Sequence, residues 1–219
     1  MKKYTSLLAA LQDFLDKQCF IFDMDGLLFD SEQLFMEQLA AVMADRNYHL
    51  TREIYVHTLG MGGAPLRNYM LGIYGTDYPF EECGQEAQRR VLQIAEHIGL
   101  RVKPQIPETL EMLCQQQKLC AVASSTHSAQ VEKYLKNADM MRYFSVVLGG
   151  DMVSAAKPDP EIFLAAASHC SVAPEQTVVL EDSENGIRAA HAAGMDTICV
   201  PDLASPSADI YPWINALVQ

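Results

Sequence analysis

Basic residues are scarce in this chain: 16 Lys and Arg stand against 28 Asp and Glu, for a formal net charge of -12. A nucleic-acid backbone would be repelled by that balance, so no nucleic-acid partner is expected. Lysine is missing altogether between Lys17 and Lys103, which excludes amine chemistry from that stretch. No apolar run approaches the roughly 20 residues that a membrane-spanning helix needs. None of the six cysteines (Cys19, Cys83, Cys114, Cys120, Cys170, Cys199) forms a Cys-x-x-Cys pair, and several lie in apolar runs. They read as buried, reduced thiols of a cytoplasmic protein. Met1-Lys2-Lys3 and the leucines after it imitate a signal peptide, but Gln12 and Asp13 interrupt the apolar stretch too early. Internal repeats and low-complexity tracts are also absent.

What is present is a set of short apolar runs that stop at reactive groups. Phe20-Ile21-Phe22 leads into Asp23-Met24-Asp25-Gly26, two carboxylates two residues apart at the end of a strand, with a glycine that lets the chain turn away. Leu119 to Ala123 ends at Ser124-Ser125-Thr126. Thr177 to Leu180 runs into Glu181-Asp182-Ser183. Between these lies Lys157-Pro158-Asp159-Pro160, where Pro160 suits a first helical turn and Asp159 its cap. In an open parallel sheet, the carboxyl edge of the strands is where ligands bind.

Apolar periodicity predicts helices near 107–117, 127–137, 160–169 and 185–193, alternating with strands at 119–123, 144–148, 177–180 and 197–200. That alternation implies a doubly wound parallel sheet in a three-layer α/β/α sandwich. Residues 4–17, with Leu7, Leu8, Leu11, Phe14 and Leu15 on one side, read as an added amphipathic helix that packs on the core. Residues 31–103 break the alternation. Leu34, Phe35, Leu39, Val42 and Met43 have helical spacing there, and no buried strand is evident before Pro104 and Pro107. The expected organisation is a discontinuous core, 1–30 and 104–219, with an all-helical insertion at 31–103. In that insertion Gly60-Met61-Gly62-Gly63 is too flexible to extend a helix, and Tyr69, Tyr74 and Tyr78 read as core aromatics.

The ordered set of four segments resembles the haloacid dehalogenase superfamily, in the subgroup of β-phosphoglucomutase and the sugar-phosphate phosphatases with a helical cap. The likeness covers nearly the whole chain. It implies a Rossmann-like core, a cap that closes over the sheet edge from hinges near Asp30 to Ser31 and Val102 to Pro107, and Mg²⁺ as cofactor. Asp23 would be the nucleophile and Asp25 the general acid and base. Ser124, with Ser125 beside it, would hold the phosphoryl group, and Lys157 would offset negative charge. The metal would be held by Asp23, Asp182 and the backbone carbonyl of Asp25, with Glu181 ligating or supporting. Gly62, Gly63, Arg67 and His127 are the expected further substrate contacts. The implied activity is hydrolysis of a small phosphorylated metabolite through an aspartyl-phosphate, by a monomer or weak dimer with no membrane partner.

Departures from the family pattern narrow this. Asp25 argues against the true dehalogenases, which lack that acid. The mutase carries a histidine where this chain has Phe35 and a phosphate-gripping arginine where it has Gly63, so hydrolysis is favoured; Arg67 keeps mutase chemistry as the alternative. Phosphonoacetaldehyde hydrolase would need a cap lysine, and there is none. A receiver domain orders its acids differently and lacks a large insertion. An idle phosphometabolite-binding regulator would not need the full set of groups found here.

Overall fold

Cys19–Phe22 is a strand with no exposed side chain, and such a strand needs a neighbour on each side and a layer of helix over each face. The computed structural model, which describes all 219 residues, supplies both. Seven strands, β1 (Lys2–Tyr4), β2 (Cys19–Phe22), β3 (Leu119–Ala123), β4 (Val146–Leu148), β5 (Thr177–Glu181), β6 (Asp196–Cys199) and β7 (Ala216–Val218), form one sheet in the order β1-β7-β6-β5-β2-β3-β4. Every pairing is parallel. The chain steps from β2 outward through β3 to β4, then returns to the other side of β2 and runs outward again through β5 and β6. The topological switch therefore lies at β2.

Strand alternation divides the core into two layers. Cys19, Ile21, Ala121, Ala123 and Val179 pack against Ile162, Phe163, Ala166 and Ala167 of α8 (Glu161–His169) and against Ala189 and Ala190 of α9 (Glu184–Ala192). Phe20, Phe22, Cys120, Val122, Val178 and Leu180 point the other way and are also buried. The remaining core helices are α1 (Leu7–Leu11), α6 (Ile106–Gln115) and α7 (Ser128–Asn137). All four helices expected beyond residue 104 form, with ends shifted by one or two residues.

The chain divides into two compact units, Met1–Asp30 with Arg101–Gln219, and Ser31–Leu100. The expected core boundary at 104 is corrected by three residues, because the two linker strands pair. Phe29 bridges Val102 in antiparallel fashion, the Asp30 amide donates to the Arg101 carbonyl at 2.9 Å, and the Lys103 amide donates to the Leu28 carbonyl at 2.9 Å. A second correction concerns residues 4–17. Residues 2–4 are an edge strand on β7, Ser6 caps α1 by accepting from the Ala9 amide at 3.2 Å, and residues 12–14 tighten into a 3₁₀ turn.

The inserted unit is all helical: α2 (Ser31–Ala44), α3 (Arg52–Thr58), α4 (Gly63–Tyr74) and α5 (Phe80–His97). Its interior holds a mainly apolar cavity of about 260 Å³, lined by Phe35, Leu39, Tyr55, Met61 and Met70 among others. Glu32 supplies its acidic group, and the Tyr55 hydroxyl donates to Glu32 Oε2 at 2.8 Å. Tyr78 is buried against Tyr48 and Tyr74 in an aromatic cluster. No helix is long and apolar enough to cross a membrane. Phe20 is fully buried in the central strand, so Phe20→Ala should cost about 3–5 kcal/mol, read as a lower urea midpoint in equilibrium unfolding.

Candidate active site

Register builds the site. Phe22 pairs with Leu180 on one side and Val122 on the other, so the residues that follow, Asp23, Glu181 and Ala123 with Ser124, leave the sheet side by side. Gly26 then reverses the chain at a φ of +77°, its amide donating to the Phe29 carbonyl at 3.0 Å. Oxygens of Asp23, Glu181 and Asp182 lie within 4.8 Å of one another.

Lys157 is the cation among them, and its side chain is 6% exposed. The ammonium is paired with Asp23 Oδ1, donates to Glu181 Oε1 at 2.8 Å and to the Ala123 carbonyl at 3.1 Å, and stands 4.7 Å from the centre of the Phe163 ring. The loop that presents it is braced from behind. Asp159 accepts from the Glu161 amide at 3.0 Å, although the cap position itself falls on Pro160, one residue later than the capping signal predicts, and Glu161 accepts from the Ser154 and Ala155 amides at 3.0 and 2.7 Å.

Glu181 is fully committed. Its Oε2 accepts from the Asp182 amide at 2.9 Å, the Ser183 amide at 2.8 Å and the Ser183 hydroxyl at 2.9 Å. It is therefore an organiser of the turn into α9, while Asp182 keeps its oxygens for the cleft. Gly186 makes this possible: a Cβ there would overlap the Glu181 carboxylate, with even Oε2 at 2.6 Å.

The hydroxyl motif works as a turn. Ser124 Oγ accepts from the Thr126 amide at 3.0 Å and lies 3.5 Å from Asp25 Oδ2, the outer limit of a hydrogen bond. Thr126, which motif reading leaves without a role, makes the strong contact: its hydroxyl donates to Asp25 Oδ2 at 2.8 Å. Gly150 donates to the Thr126 carbonyl at 3.0 Å, and a Cβ on it would stand 3.0 Å from the Ser125 carbonyl carbon. The order of residues along the chain could not show Thr126 or Gly150, since both act through the turn's shape.

Asp23, Asp25, Ser124, Lys157, Glu181 and Asp182 thus come together at one edge. Ser125 sits exposed in the same turn. His127 is exposed, with Nε2 3.6 Å from Asp151 Oδ2. Gly62, Gly63 and Arg67 belong to the helical unit, where Arg67 is ion-paired with Glu81 at 2.9 Å across an exposed surface.

Burial pushes the Asp23 carboxyl up to about 7, with the charges of Glu181 and Asp25 adding to the shift and Lys157 opposing it. Burial and the neighbouring Glu181 and Asp23 likewise raise Asp182. Burial works against the charge of Lys157, yet Asp23 and Glu181 hold it above the ordinary lysine range. Three carboxylates against one ammonium leave a local excess of negative charge. An all-oxygen donor set of this kind fits a hard divalent cation.

A doubly wound sheet with an acid cluster at its switch point is a ligand-site architecture shared by several classes of α/β protein, and comparison with known proteins decides among them. A sequence profile described as haloacid dehalogenase-like hydrolase matches residues 20–200. The phosphorylated carbohydrates phosphatase of Thermotoga maritima is 33% identical over 181 residues, covering 81% of this chain and 82% of that protein. Hexitol phosphatase B of Escherichia coli K12 is 32% identical over 186 residues, covering 83% and 82%. A crystal structure of a candidate β-phosphoglucomutase from Thermotoga maritima superposes with a TM-score of 0.74 at 27% identity, covering 92% and 94% of the two chains. The chain belongs to the haloacid dehalogenase-like hydrolases, and its enzyme class is that of a phosphomonoester hydrolase.

Two measurements test the geometry. Gly186→Ala must displace Glu181 and with it Lys157, so it should lower stability by about 2 kcal/mol or more, seen in thermal melts, and reduce turnover. For Asp23 the sign follows from linkage. Its folded pKa lies above the unfolded value, so the folded state binds the extra proton and stability falls as pH rises from about 4 to 7. In metal-free protein, Asp23→Asn should therefore gain stability relative to wild type across that window; a pH-independent difference would contradict the assignment.

Proposed function

We propose that this chain is a Mg²⁺-dependent phosphatase that hydrolyses a small phosphorylated metabolite, a sugar phosphate or similar phosphomonoester, through an aspartyl-phosphate on Asp23. The observation that carries the reading is the convergence of Asp23, Glu181 and Asp182 within 4.8 Å beside Lys157. The phosphatases among its relatives support it.

A carboxylate approaching a phosphate dianion meets repulsion of about 4 kcal/mol per charge pair at 4 Å and intermediate dielectric. Asp23, Asp182 and the Asp25 carbonyl are the groups that would hold the cation, and bound there it would neutralise this charge and polarise the phosphoryl group. Lys157 offsets the rest, with its three donor directions fixed by Asp23, Glu181 and the Ala123 carbonyl. Ser124 accepts from the Thr126 amide and reaches Asp25 Oδ2 only at 3.5 Å, so its proton can turn to a phosphoryl oxygen at little cost. Asp23 attacks phosphorus in line and the ester oxygen leaves with a proton from Asp25, whose carboxyl the Thr126 hydroxyl orients. Asp25 then takes a proton from the water that cleaves the acyl phosphate, regenerating Asp23.

Mutase chemistry has less support. It would need a cationic grip on a second phosphate, but positions 35 and 63 are Phe and Gly, and Arg67 is engaged with Glu81.

The test is phosphate release from an aryl phosphate and a panel of phosphorylated sugars. Turnover should require Mg²⁺ and stop after exhaustive chelation. Asp23→Asn should abolish turnover while substrate still binds, because an amide is a poor nucleophile. Turnover retained in either condition would overturn the mechanism.

A further inference from the structure

β6 runs beside β5, and the Val200 amide just past it donates to the Glu181 carbonyl at 2.8 Å. Two residues further on, this pairing delivers a carboxylate that no motif singles out, Asp202, to the sheet edge that carries Asp182. The Asp202 side chain is only 7% exposed, and its Oδ1 is ion-paired with Lys103, which is itself anchored through its amide on the Leu28 carbonyl at 2.9 Å. Oδ2 is buried and has no hydrogen-bond partner. It faces the nucleophile loop: a Cβ on Gly26 would overlap Asp182 Oδ2 and stand 3.3 Å from Asp202 Oδ2.

Two carboxylate oxygens thus converge over one glycine, with nothing donating to the second of them. Buried acceptors of this kind are uncommon, and one beside a like charge calls for a donor. A simple Lys103–Asp202 bridge would satisfy Oδ1 and leave Oδ2 as it is. An ion of the Mg²⁺ type keeps several of its waters when it binds protein, and each such water is a strong donor. Partners of this kind orient a metal's ligands without touching the metal.

We propose that Asp202 is a positioning residue of the cation site: Lys103 fixes its Oδ1, and its Oδ2 accepts a hydrogen bond from a water carried by the ion. The inference rests on the reading of Asp23 and Asp182 as cation ligands. It adds a carboxylate from the loop after β6 and a lysine from the linker that re-enters the core, neither of which belongs to the four motifs.

The test is Mn²⁺ binding to substrate-free protein, read from the electron paramagnetic resonance signal of the free ion, with Mg²⁺ as competitor. Asp202→Asn keeps an acceptor for Lys103 and should weaken binding of both ions by about 10- to 100-fold. Lys103→Met separates orientation from charge. Loss of a nearby positive charge alone would tighten cation binding, whereas loss of the group that aims Asp202 should weaken it, and weaker binding is the expected result. Unchanged affinity in Asp202→Asn, or tighter binding in Lys103→Met, overturns the proposal. Asp182→Asn is the control. If it abolishes binding while Asp202→Asn does not alter it, only the Asp202 assignment falls; if Asp182→Asn binds like wild type, the cation reading falls and this inference with it. Should Asp202→Asn lose its native circular-dichroism melt, the sign of the Lys103→Met effect decides.

Discussion

The ammonium of Lys157 sits where three carboxylates would otherwise confront one another in a nearly dry cleft. Its contacts with Asp23 and Glu181 are what allow both acids to be buried. Removing one partner from such a pair typically costs about 3–5 kcal/mol, because it strands a buried charge. The dependence runs onward from there. Glu181, held by Lys157 on one oxygen, uses the other to gather the amides of Asp182 and Ser183. That gathering sets the start of α9, and Gly186 in its first turn is small so that the carboxylate fits. Lysine, glutamate, turn and glycine form one mechanical unit, and Asp23 is its outermost member.

The sheet contributes through register more than through any one contact. With Phe22 level with both Val122 and Leu180, three loops from distant parts of the chain open at the same height. A slip of one residue would turn Asp23 away from the cleft and drive its apolar neighbours toward the opposite layer. The fully buried side chains of β2 and β5 prevent that slip, so hydrophobic packing and placement of the acidic cluster are enforced by the same residues.

Much of this was legible in the amino-acid sequence, for a physical reason. Strands buried on both faces must be continuous apolar runs, so β2, β3 and β5 stand out, and the polar residues that end them mark the site. The two outermost strands on that side were not legible: Lys2-Lys3-Tyr4, at the edge, is charged and partly exposed and is a strand only because β7 lies beside it, and Ala216–Val218, paired with both β1 and β6, is only three residues long. The first helix looked longer than it is, since Leu7, Leu11 and Phe14 keep an apolar side through the change from α-helix to 3₁₀ turn. The boundary at 104 was displaced because the prolines were visible and the pairing of Phe29 with Val102 was not. Thr126 and the Lys103–Asp202 pair act through proximity created by folding, which spacing along a chain does not encode.

The central position of β2 also governs how the protein is made. Its neighbours β3 and β5 lie about a hundred and more than a hundred and fifty residues downstream, so during vectorial synthesis the Cys19–Phe22 segment emerges long before either edge it must pair with. Until β5 leaves the ribosome, an apolar strand stands with an open flank, and loop closure over such separations is slow. An unpaired apolar edge of this kind is the surface through which partly folded chains associate. The helical insertion, whose contacts are local, can fold while the core waits for its second half.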